Sequence, residues 1–281
     1  MKNASEQSRI HRPYYRNGDN HRADSDVSFN DIRKVFGFHS IKVGKWVSAK
    51  AQQLAANLFF DALCDLADIL SVPTPVISLN GTLSLAYGTG GQKYVSAHYS
   101  ASTRQISMAK NAGGGALAHE WFHAFDHFVA PKMYAAVTPS AFASAAWFER
   151  KKMNQHPLNQ SLNSMFTQPF IAVEHGTPNA YVKRSVAIDK SLNSFYYAQP
   201  QEMAARAFES VLQDHPIKNQ FLVSGTKQST AARMGIYPTP EEKALVAQHL
   251  YGYFSALGKA LEANKKKKKQ RHRRAPNTHH A

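Results

Sequence analysis

The chain has little cysteine and no long apolar segment. Cys64 is the single cysteine among 281 residues, so no disulfide can form within the chain. No stretch approaches the roughly 20 consecutive apolar residues of a membrane-spanning helix. The first residues also lack the apolar run of a signal peptide. These absences predict a soluble protein without a membrane span, in the reducing setting of the cytoplasm.

Acidic residues are also scarce, and the resulting positive charge is uneven. The chain has 34 Lys and Arg against 19 Asp and Glu, a net charge of +15. Eight cations lie between Lys265 and Arg274, which leaves +7 for the residues before them. A block of like charge without apolar residues cannot join a core. We therefore expect residues 264–281 to form a disordered basic tail, which is either simply solvated or a non-specific contact for nucleic acid.

Composition and periodicity predict one α+β domain between two polar ends. The hydrophobic fraction is 43%, which is enough for a core. Residues 1–27 are polar and lack periodicity, so we expect a loose arm there. The folded domain is expected over residues 28–263, where apolar residues recur at regular spacing.

Helices and short strands alternate within this domain. Apolar residues at helical spacing predict helices, and alternation between glycine-containing turns predicts strands. The pattern predicts a short helix capped by Asn30, a strand in SIKVGKWV, a helix over 48–70, strands within 76–110 ending with Gln105–Ala109, a glycine break over 111–115, a helix over 116–129 stopped by Pro131, and helices over 194–215 and 239–263. We expect the strand Gln105–Ala109 to be able to pair with an extended peptide at its edge.

The most informative stretch is LAHEWFHAFDHF, residues 117–128, which contains an HExxH motif. On a helix, His119 and His123 project from one face and can bind one zinc ion at roughly 2 Å. Glu120 is turned about 100° around the helix, where it can reach a water molecule as a general base. The alternative is a pair of histidines on a partly exposed helix face. The preceding strand, the glycine break and the apolar surroundings favour the metal site.

The later residues of the same stretch are less suited to bind that metal. His127 lies about 12 Å from His119 along a straight helix, so a metal between the first two histidines is beyond its reach. Asp126 lies three residues after His123 on nearly the same stripe. It is therefore expected to accept a hydrogen bond from His123 rather than to bind zinc.

A zinc site needs a third protein ligand, which must come from another element. The best candidate is Glu202, at the start of the predicted helix over residues 200–213. Alanines around Glu202 would allow this helix to approach the first one closely. Glu209 is seven residues further on the same face and is the reserve candidate. Alternatively, Glu202 is an ordinary acid that the helix dipole favours in a first turn.

The combination of these motifs resembles the gluzincin metallopeptidases. AHEWFHAFDHF at residues 118–128 is followed by SFYYAQPQEMAARAFES at residues 194–210. Longer stretches, among them LAYGTGGQKYVSAHYSASTRQISMAKNAGGGALAHEWFHAFDHF, resemble the zincin-like domain associated with large polyvalent proteins of phages and mobile elements, and the bacterial CLCA-X family. The resemblance covers neither the arm nor the tail.

The resemblance carries expectations about fold and site. It implies a zincin-like fold, in which a small mixed sheet packs on the HExxH helix and on a second, ligand-bearing helix. It implies Glu202 as the third ligand. It also implies a tyrosine just ahead of that helix as hydrogen-bond donor to the developing oxyanion, either Tyr196 or Tyr197, with Tyr196 as first choice. The alternative is that both tyrosines belong to the core. It implies no particular substrate.

These features together predict a zinc-dependent metallopeptidase. Zn²⁺ would be held by His119, His123 and Glu202, with Glu120 as the general base. The alternative is a zinc-containing binding protein of phage or mobile-element origin that contacts nucleic acid through the tail, Lys265–Arg274. Glu120 favours hydrolysis, because a purely structural site needs no base beside its ligands. A processing protease acting on a target bound to nucleic acid would use both features.

Overall fold

The computed structural model describes residues 9–89, 96–110, 114–172 and 176–274. Some of the predicted segments lie partly outside the described residues. These are the arm at 1–8, the two glycine-containing segments at 90–95 and 111–113, and the tail at 275–281.

The described chain combines helices with a small mixed sheet, which confirms the predicted α+β class. The helices are α1 (Phe29–Phe36), α2 (Ala49–Leu70), α3 (Leu117–Met133), α4 (Ala143–Phe148), α5 (Pro157–Thr167), α6 (Ala180–Ser191), α7 (Pro200–Asp214), α8 (Thr230–Arg233) and α9 (Pro240–Arg274). The strands are β1 (Ile41–Val43), β2 (Ser84–Tyr87), β3 (Ala97–Ser100), β4 (Gln105–Met108), β5 (Ile171–Ala172) and β6 (Thr177–Pro178). None of the helices described is both long and apolar enough to cross a bilayer.

The main sheet has the strand order β1-β2-β4-β3. Strands β1, β2 and β4 are parallel, whereas β3 runs antiparallel to β4. The expectation that β4 offers a free edge is wrong, because the hairpin from β3 places a partner on its outer side. β3 is the edge strand on this side of the sheet, and it lies against α3.

The core between α3 and α7 explains why the two candidate ligand helices meet. The Trp121 ring stacks against Phe125 and against Phe208 of α7, each with 5.6 Å between ring centroids. Its indole nitrogen donates to the carbonyl of Ile77 at 2.9 Å. The alanines of α7 are buried and small, so the two helices approach closely, as expected from the sequence. Burial of these aromatic rings is a major source of stability at such a contact.

Two helix ends differ from the sequence-based expectation. Ser28, not Asn30, caps α1, because its side chain accepts from the Asp31 amide while Asp31 accepts from the Ser28 amide. α3 runs through Pro131 to Met133. A proline in the last turn removes a single helical hydrogen bond, and the Tyr134 amide still donates to Ala130 at 2.9 Å.

The basic segment is also more regular than expected. α9 does not end near residue 263 but continues to Arg274. Its first half is anchored by Val246, Leu250 and Phe254, all buried in the core. Lysine has a good helix propensity, and extension of an existing helix needs no new nucleus. The described side chains from Glu262 onward are exposed, so this extension reaches into solvent.

The described part of the arm packs on α2 rather than remaining loose. Three of its side chains meet acids on one face of α2, in the pairs Arg16–Asp65, His21–Asp68 and Arg22–Asp61. The first pair is bidentate, with both nitrogen–oxygen distances at 2.7 Å, and Asp65 is fully buried. A side chain at position 18 would overlap the Asp65 carboxylate, so Gly18 permits this contact.

Replacing Arg16 with alanine is expected to lower the free energy of unfolding by about 3 kcal/mol, because it leaves the buried Asp65 without its cation. This corresponds to a fall of roughly 6–12 °C in the melting temperature. Arg12 is exposed, and its replacement with alanine should change the free energy by less than about 0.5 kcal/mol. Urea unfolding of the two variants tests the expectation. Equal effects would show that the arm contributes no specific contact.

Candidate metal centre

The structure brings His119, His123 and Glu202 together. The Nε2 atoms of His119 and His123 lie 3.0 Å apart. One oxygen of Glu202 is 3.3 Å from Nε2 of His123, and the other is 3.5 Å from Nε2 of His119. The helical spacing of the histidines turns both rings to one side, and the docking of α7 brings Glu202 to them. The three side chains form one of the two groups that could hold a metal ion within the described residues.

Two of these separations, 3.3 and 3.5 Å, match those around a tetrahedral metal ion, whereas the 3.0 Å between the two histidine nitrogens is slightly shorter. Ligand atoms about 2.0–2.2 Å from a tetrahedral zinc are about 3.3–3.6 Å from one another. In addition, Glu202 Oε2 and His123 Nδ1 are buried without a hydrogen-bond partner. A buried acceptor without a partner is costly, and a cation between these ligands would relieve that cost at Glu202. Two imidazoles and a carboxylate are also a donor set typical of catalytic zinc.

The second group that could hold a metal is already satisfied by protein contacts. It consists of His21, Asp65 and Asp68. Asp65 accepts from Arg16 and from the Asn219 side chain, and His21 is 2.7 Å from Asp68. This group therefore acts as the attachment of the arm to α2.

Glu209 lies on the far side of His119. Its Oε1 atom is 3.0 Å from Nδ1 of His119, the nitrogen that points away from Glu202. Tyr237 lies beside Glu209, and burial together with that carboxylate raises the pKa of the tyrosine well above its usual value. Metal-binding histidines commonly donate their second nitrogen to a carboxylate, which fixes the ring. Glu209 is thus placed to orient His119, not to join Glu202 among the ligands.

The charges of the site are strongly coupled. Burial lowers the pKa of His119, but the carboxylates of Glu209 and Glu202 outweigh burial and raise it to about 10. Burial raises the pKa of Glu202, but the nearby imidazoles of His119 and His123 outweigh this and hold it well below its usual value. These shifts favour a carboxylate at Glu202 and a protonated ring at His119 at neutral pH, so a metal ion would have to displace the proton of His119.

Glu120 and Tyr196 face the same cluster. Glu120 is 8% exposed, and its charge contributes to the raised pKa of both His119 and Tyr196. Burial and the Glu202 carboxylate raise the pKa of the Tyr196 hydroxyl well above its usual value. Tyr196 is nevertheless 46% exposed, so part of its side chain reaches solvent. Tyr196 thus lies beside Glu202, and its role as an oxyanion donor stays a prediction.

The segment that carries Tyr196 and Tyr197 is held by two charged residues. The Asp189 carboxylate accepts from the amides of Tyr196, Tyr197 and Ala198 at 2.8–3.1 Å. Arg206 is buried, donates to the Tyr197 carbonyl, and has its Nη1 atom 3.8 Å from Glu202. These contacts hold the segment against the first turn of α7 and place the Tyr196 side chain beside Glu202.

Asp126 does not orient His123, in contrast to the expectation. Its two oxygens accept from the amide and the hydroxyl of Ser144, at 2.8 and 2.5 Å. Burial raises the pKa of Asp126 to about 6, although the hydrogen bonds from Ser144 oppose this shift. Asp126 therefore joins α3 to α4, a role that the spacing within one helix cannot reveal.

His127 lies away from the candidate ligands, as the geometry of a straight helix predicts. Its Nδ1 is 2.7 Å from the Tyr99 hydroxyl, and its Nε2 is 2.7 Å from the Pro139 carbonyl. Nε2 must donate to the carbonyl, so Nδ1 accepts from Tyr99. His127 thereby fixes the edge strand β3 to α3, one turn beyond His123.

Several residues of the site gave no signal in the sequence. Glu209 is the exception, since its position seven residues after Glu202 predicts a reserve ligand, but its role beside His119 depends on the side from which α7 approaches. Asp189, Arg206 and Tyr237 belong to no spacing pattern with the HExxH motif. The tertiary contacts alone bring them to the site.

Comparisons with known proteins cover one part of this arrangement. A family model described as "Large polyvalent protein-associated domain 1" matches residues 188–261. The matched segment contains Tyr196, α7 with Glu202 and Glu209, and Tyr237, but not the HExxH motif. No curated protein and no solved structure matches the chain. Residues 188–261 thus resemble a domain associated with large polyvalent proteins, in agreement with the association that the sequence motifs indicated.

Proposed function

We propose that the chain is a zincin-like, zinc-dependent metallopeptidase. The observation that carries this proposal is the convergence of His119, His123 and Glu202 at separations of 3.0–3.5 Å. Glu120 beside them distinguishes a hydrolytic site from a structural one, because a structural zinc site needs no general base. The resemblance of the motifs to gluzincins supports the same conclusion.

The residues of the site have separate roles in the proposed peptide hydrolysis. A zinc ion held by the three ligands supplies Lewis acidity, which polarises a carbonyl and lowers the pKa of water toward about 7. Glu120 accepts the proton of the attacking water and returns it to the leaving amine. The Tyr196 hydroxyl donates to the carbonyl oxygen as negative charge develops there.

The edge strand β3 offers the place for an extended substrate. β3 pairs with β4 on one side, and its other side lies at the edge of the sheet. His127 and Tyr99 hold this strand against α3. A peptide that adds to the edge of β3 would run beside the helix that carries the motif. The proposed substrate is therefore an unstructured or locally unfolded protein segment.

Metal analysis and a peptidase assay on the purified chain test the proposal together. We expect about one zinc per chain, and cleavage of casein or of the chain itself that stops after chelation and returns with zinc. Failure to bind stoichiometric zinc would contradict the metal site. Stoichiometric zinc without any hydrolysis would contradict the enzymatic function and favour a binding protein.

The two acids of α7 should differ in their effect on zinc. Glu202→Ala removes a ligand and should abolish stoichiometric binding. Glu209→Gln removes the carboxylate behind His119 and should weaken zinc affinity by about 10–100-fold. Competition with a chromogenic chelator measures both, with the exposed Glu262→Gln as control. If Glu209→Gln loses more zinc than Glu202→Ala, the assignment of the two acids is reversed.

The second candidate function is contact with nucleic acid through the end of α9. It is favoured by the helical extension that carries lysines into solvent, away from the core. Eight cations between Lys265 and Arg274 would contact phosphates without sequence preference. This function is compatible with hydrolysis, and it also suits a zinc-containing protein that only binds.

Salt dependence and truncation test this second function. Engagement of all eight cations would give a log–log slope of up to about −7. A shallower slope is expected, because successive residues of a helix point about 100° apart and cannot all face one duplex. Deletion of residues 265–281 should remove most DNA binding and leave zinc content and thermal stability almost unchanged. DNA affinity that persists would place the contact on the folded domain instead.

A further inference from the structure

A cavity of about 360 Å³ lies between α3, α5 and α9. Its α3 residues include Phe125, Val129 and Lys132, which lie away from the helix face that carries His119 and His123. None of the residues of the candidate metal centre lines this cavity. Its size falls at the lower end of the range of small-molecule sites, about 300–1,000 Å³.

The interior of the cavity is mostly apolar, and its buried polar residue Asn159 has its amide nitrogen bonded to the carbonyls of Lys132 and Asn154. Its floor is formed by buried side chains, among them Phe125, Leu162 and Tyr253, which are 1–5% exposed. Half-buried leucines of α5 and α9, Leu158 and Leu257, extend the wall toward the opening. Such a surface favours an apolar occupant, because each methylene removed from water contributes to binding.

The rim of the cavity is polar and carries a positive charge. The rim residues Asn80, Lys132, Asn154 and His156 are exposed. The Lys132 ammonium lies 3.6 Å from the centre of the Phe128 ring. Burial and the neighbouring Arg104 lower its pKa. Lys132 and Arg104 together line an adjoining cavity of about 310 Å³, and no acidic side chain lines either cavity among the residues described.

From this arrangement we infer that the cavity binds a single-chain amphiphile with an anionic head, such as a fatty acid. The alkyl chain fills the apolar interior, and the carboxylate sits at the rim beside Lys132, where it offsets the repulsion from Arg104. A cavity of this size suits one alkyl chain rather than the two chains of a phospholipid. The inference is independent of the proposed peptidase function.

Calorimetric titration of the full chain with hexanoate, octanoate and decanoate tests the inference. We expect the dissociation constant to fall about fourfold for each added methylene, as apolar burial requires. Decylammonium, with the same chain and a cationic head, should bind at least about tenfold more weakly than decanoate. Absence of decanoate binding, or an affinity independent of chain length, would overturn the inference.

Four substitutions test whether decanoate binds in this cavity. Leu158→Trp should obstruct the cavity and weaken decanoate binding at least about tenfold. The control Leu245→Trp, at an exposed position of α9 outside the cavity, should change it less than about twofold. Lys132→Gln should remove the preference for decanoate over decylammonium, whereas Lys259→Gln, also exposed on α9, should retain it. Melting temperatures identify any variant that fails to fold.

Two outcomes would show another kind of contact. Decanoate binding that survives Leu158→Trp in a folded variant would place the site elsewhere and overturn the inference. Sedimentation with phosphatidylglycerol vesicles but not with phosphatidylcholine vesicles, in the absence of decanoate binding, would assign the cations to an anionic membrane surface instead. Binding of decanoate without vesicle association supports the single-chain site.

Discussion

Replacing Glu120 with glutamine is expected to lower peptide hydrolysis by about 10²–10⁴-fold while leaving the fold and the bound zinc in place. Glutamine has nearly the same shape as glutamate but cannot accept the proton of the attacking water. The residue faces the cluster without being one of the three converging ligands, so its replacement should not remove the metal. The measurement is kcat on whichever peptide the unmodified chain cleaves, together with zinc content.

The controls for this substitution separate chemistry from structure. Glu262 is exposed on α9, so Glu262→Gln should retain full activity. The melting temperature of the Glu120 variant should stay within a few degrees of the parent, since the change adds no volume. Undiminished hydrolysis by Glu120→Gln would show that another group is the base. It would contradict the proposed mechanism but not the metal site.

Replacing His119 and His123 together with alanine should lower zinc content from about one ion per chain to less than about 0.1. Two of the three ligands are lost, and Glu202 alone cannot hold zinc against water. Chelator should then have no further effect on the melting temperature of the variant, whereas it should lower that of the parent, because a ligand that binds the folded state stabilises it. Elemental analysis and thermal unfolding measure both effects.

A matched pair of histidines provides the control for this variant. His39 and His98 are exposed and lie outside the metal cluster, so His39→Ala with His98→Ala should keep stoichiometric zinc. Retention of zinc by the variant that lacks His119 and His123 would contradict the HExxH interpretation. If the zinc then depended on Asp65 and His21, the group that attaches the arm to α2 would be the metal site.

Local sequence was sufficient for the elements that carry the motif. The helical spacing of HExxH decided that His119 and His123 share a face, because that relation depends on the helix repeat alone. The start of α9 at Pro240 lies within one residue of the prediction, whereas α7 begins at Pro200, six residues after the predicted start at 194. The same local reasoning excluded His127, since a straight helix keeps it too far from His119.

Local sequence was insufficient where the structure of a residue or segment depends on contacts that are distant in sequence. Asp126 is close to His123 in sequence, but Ser144 of α4 supplies two donors to it. The polar arm has no apolar periodicity, yet its Arg16 donates to the buried Asp65 carboxylate on α2. The basic segment lacks apolar residues, yet it extends a helix that is already anchored in the core. In the first two cases the deciding partner lies in another element, and in the third it is the anchored first half of the same helix.

The sequence by itself therefore determined the α+β class, the HExxH helix and the two acids that could complete a metal site. Only the tertiary structure decided between those acids. Glu202 and Glu209 are seven residues apart on one face of α7, and both reach His119. The packing of Trp121 against Phe208 fixes the position along the axis of α3 at which α7 crosses it. At that position Glu202 lies beside the Nε2 atoms of His119 and His123, whereas Glu209 lies beside Nδ1 of His119. The two acids contact different nitrogens of His119 because the two nitrogens of one imidazole face different directions.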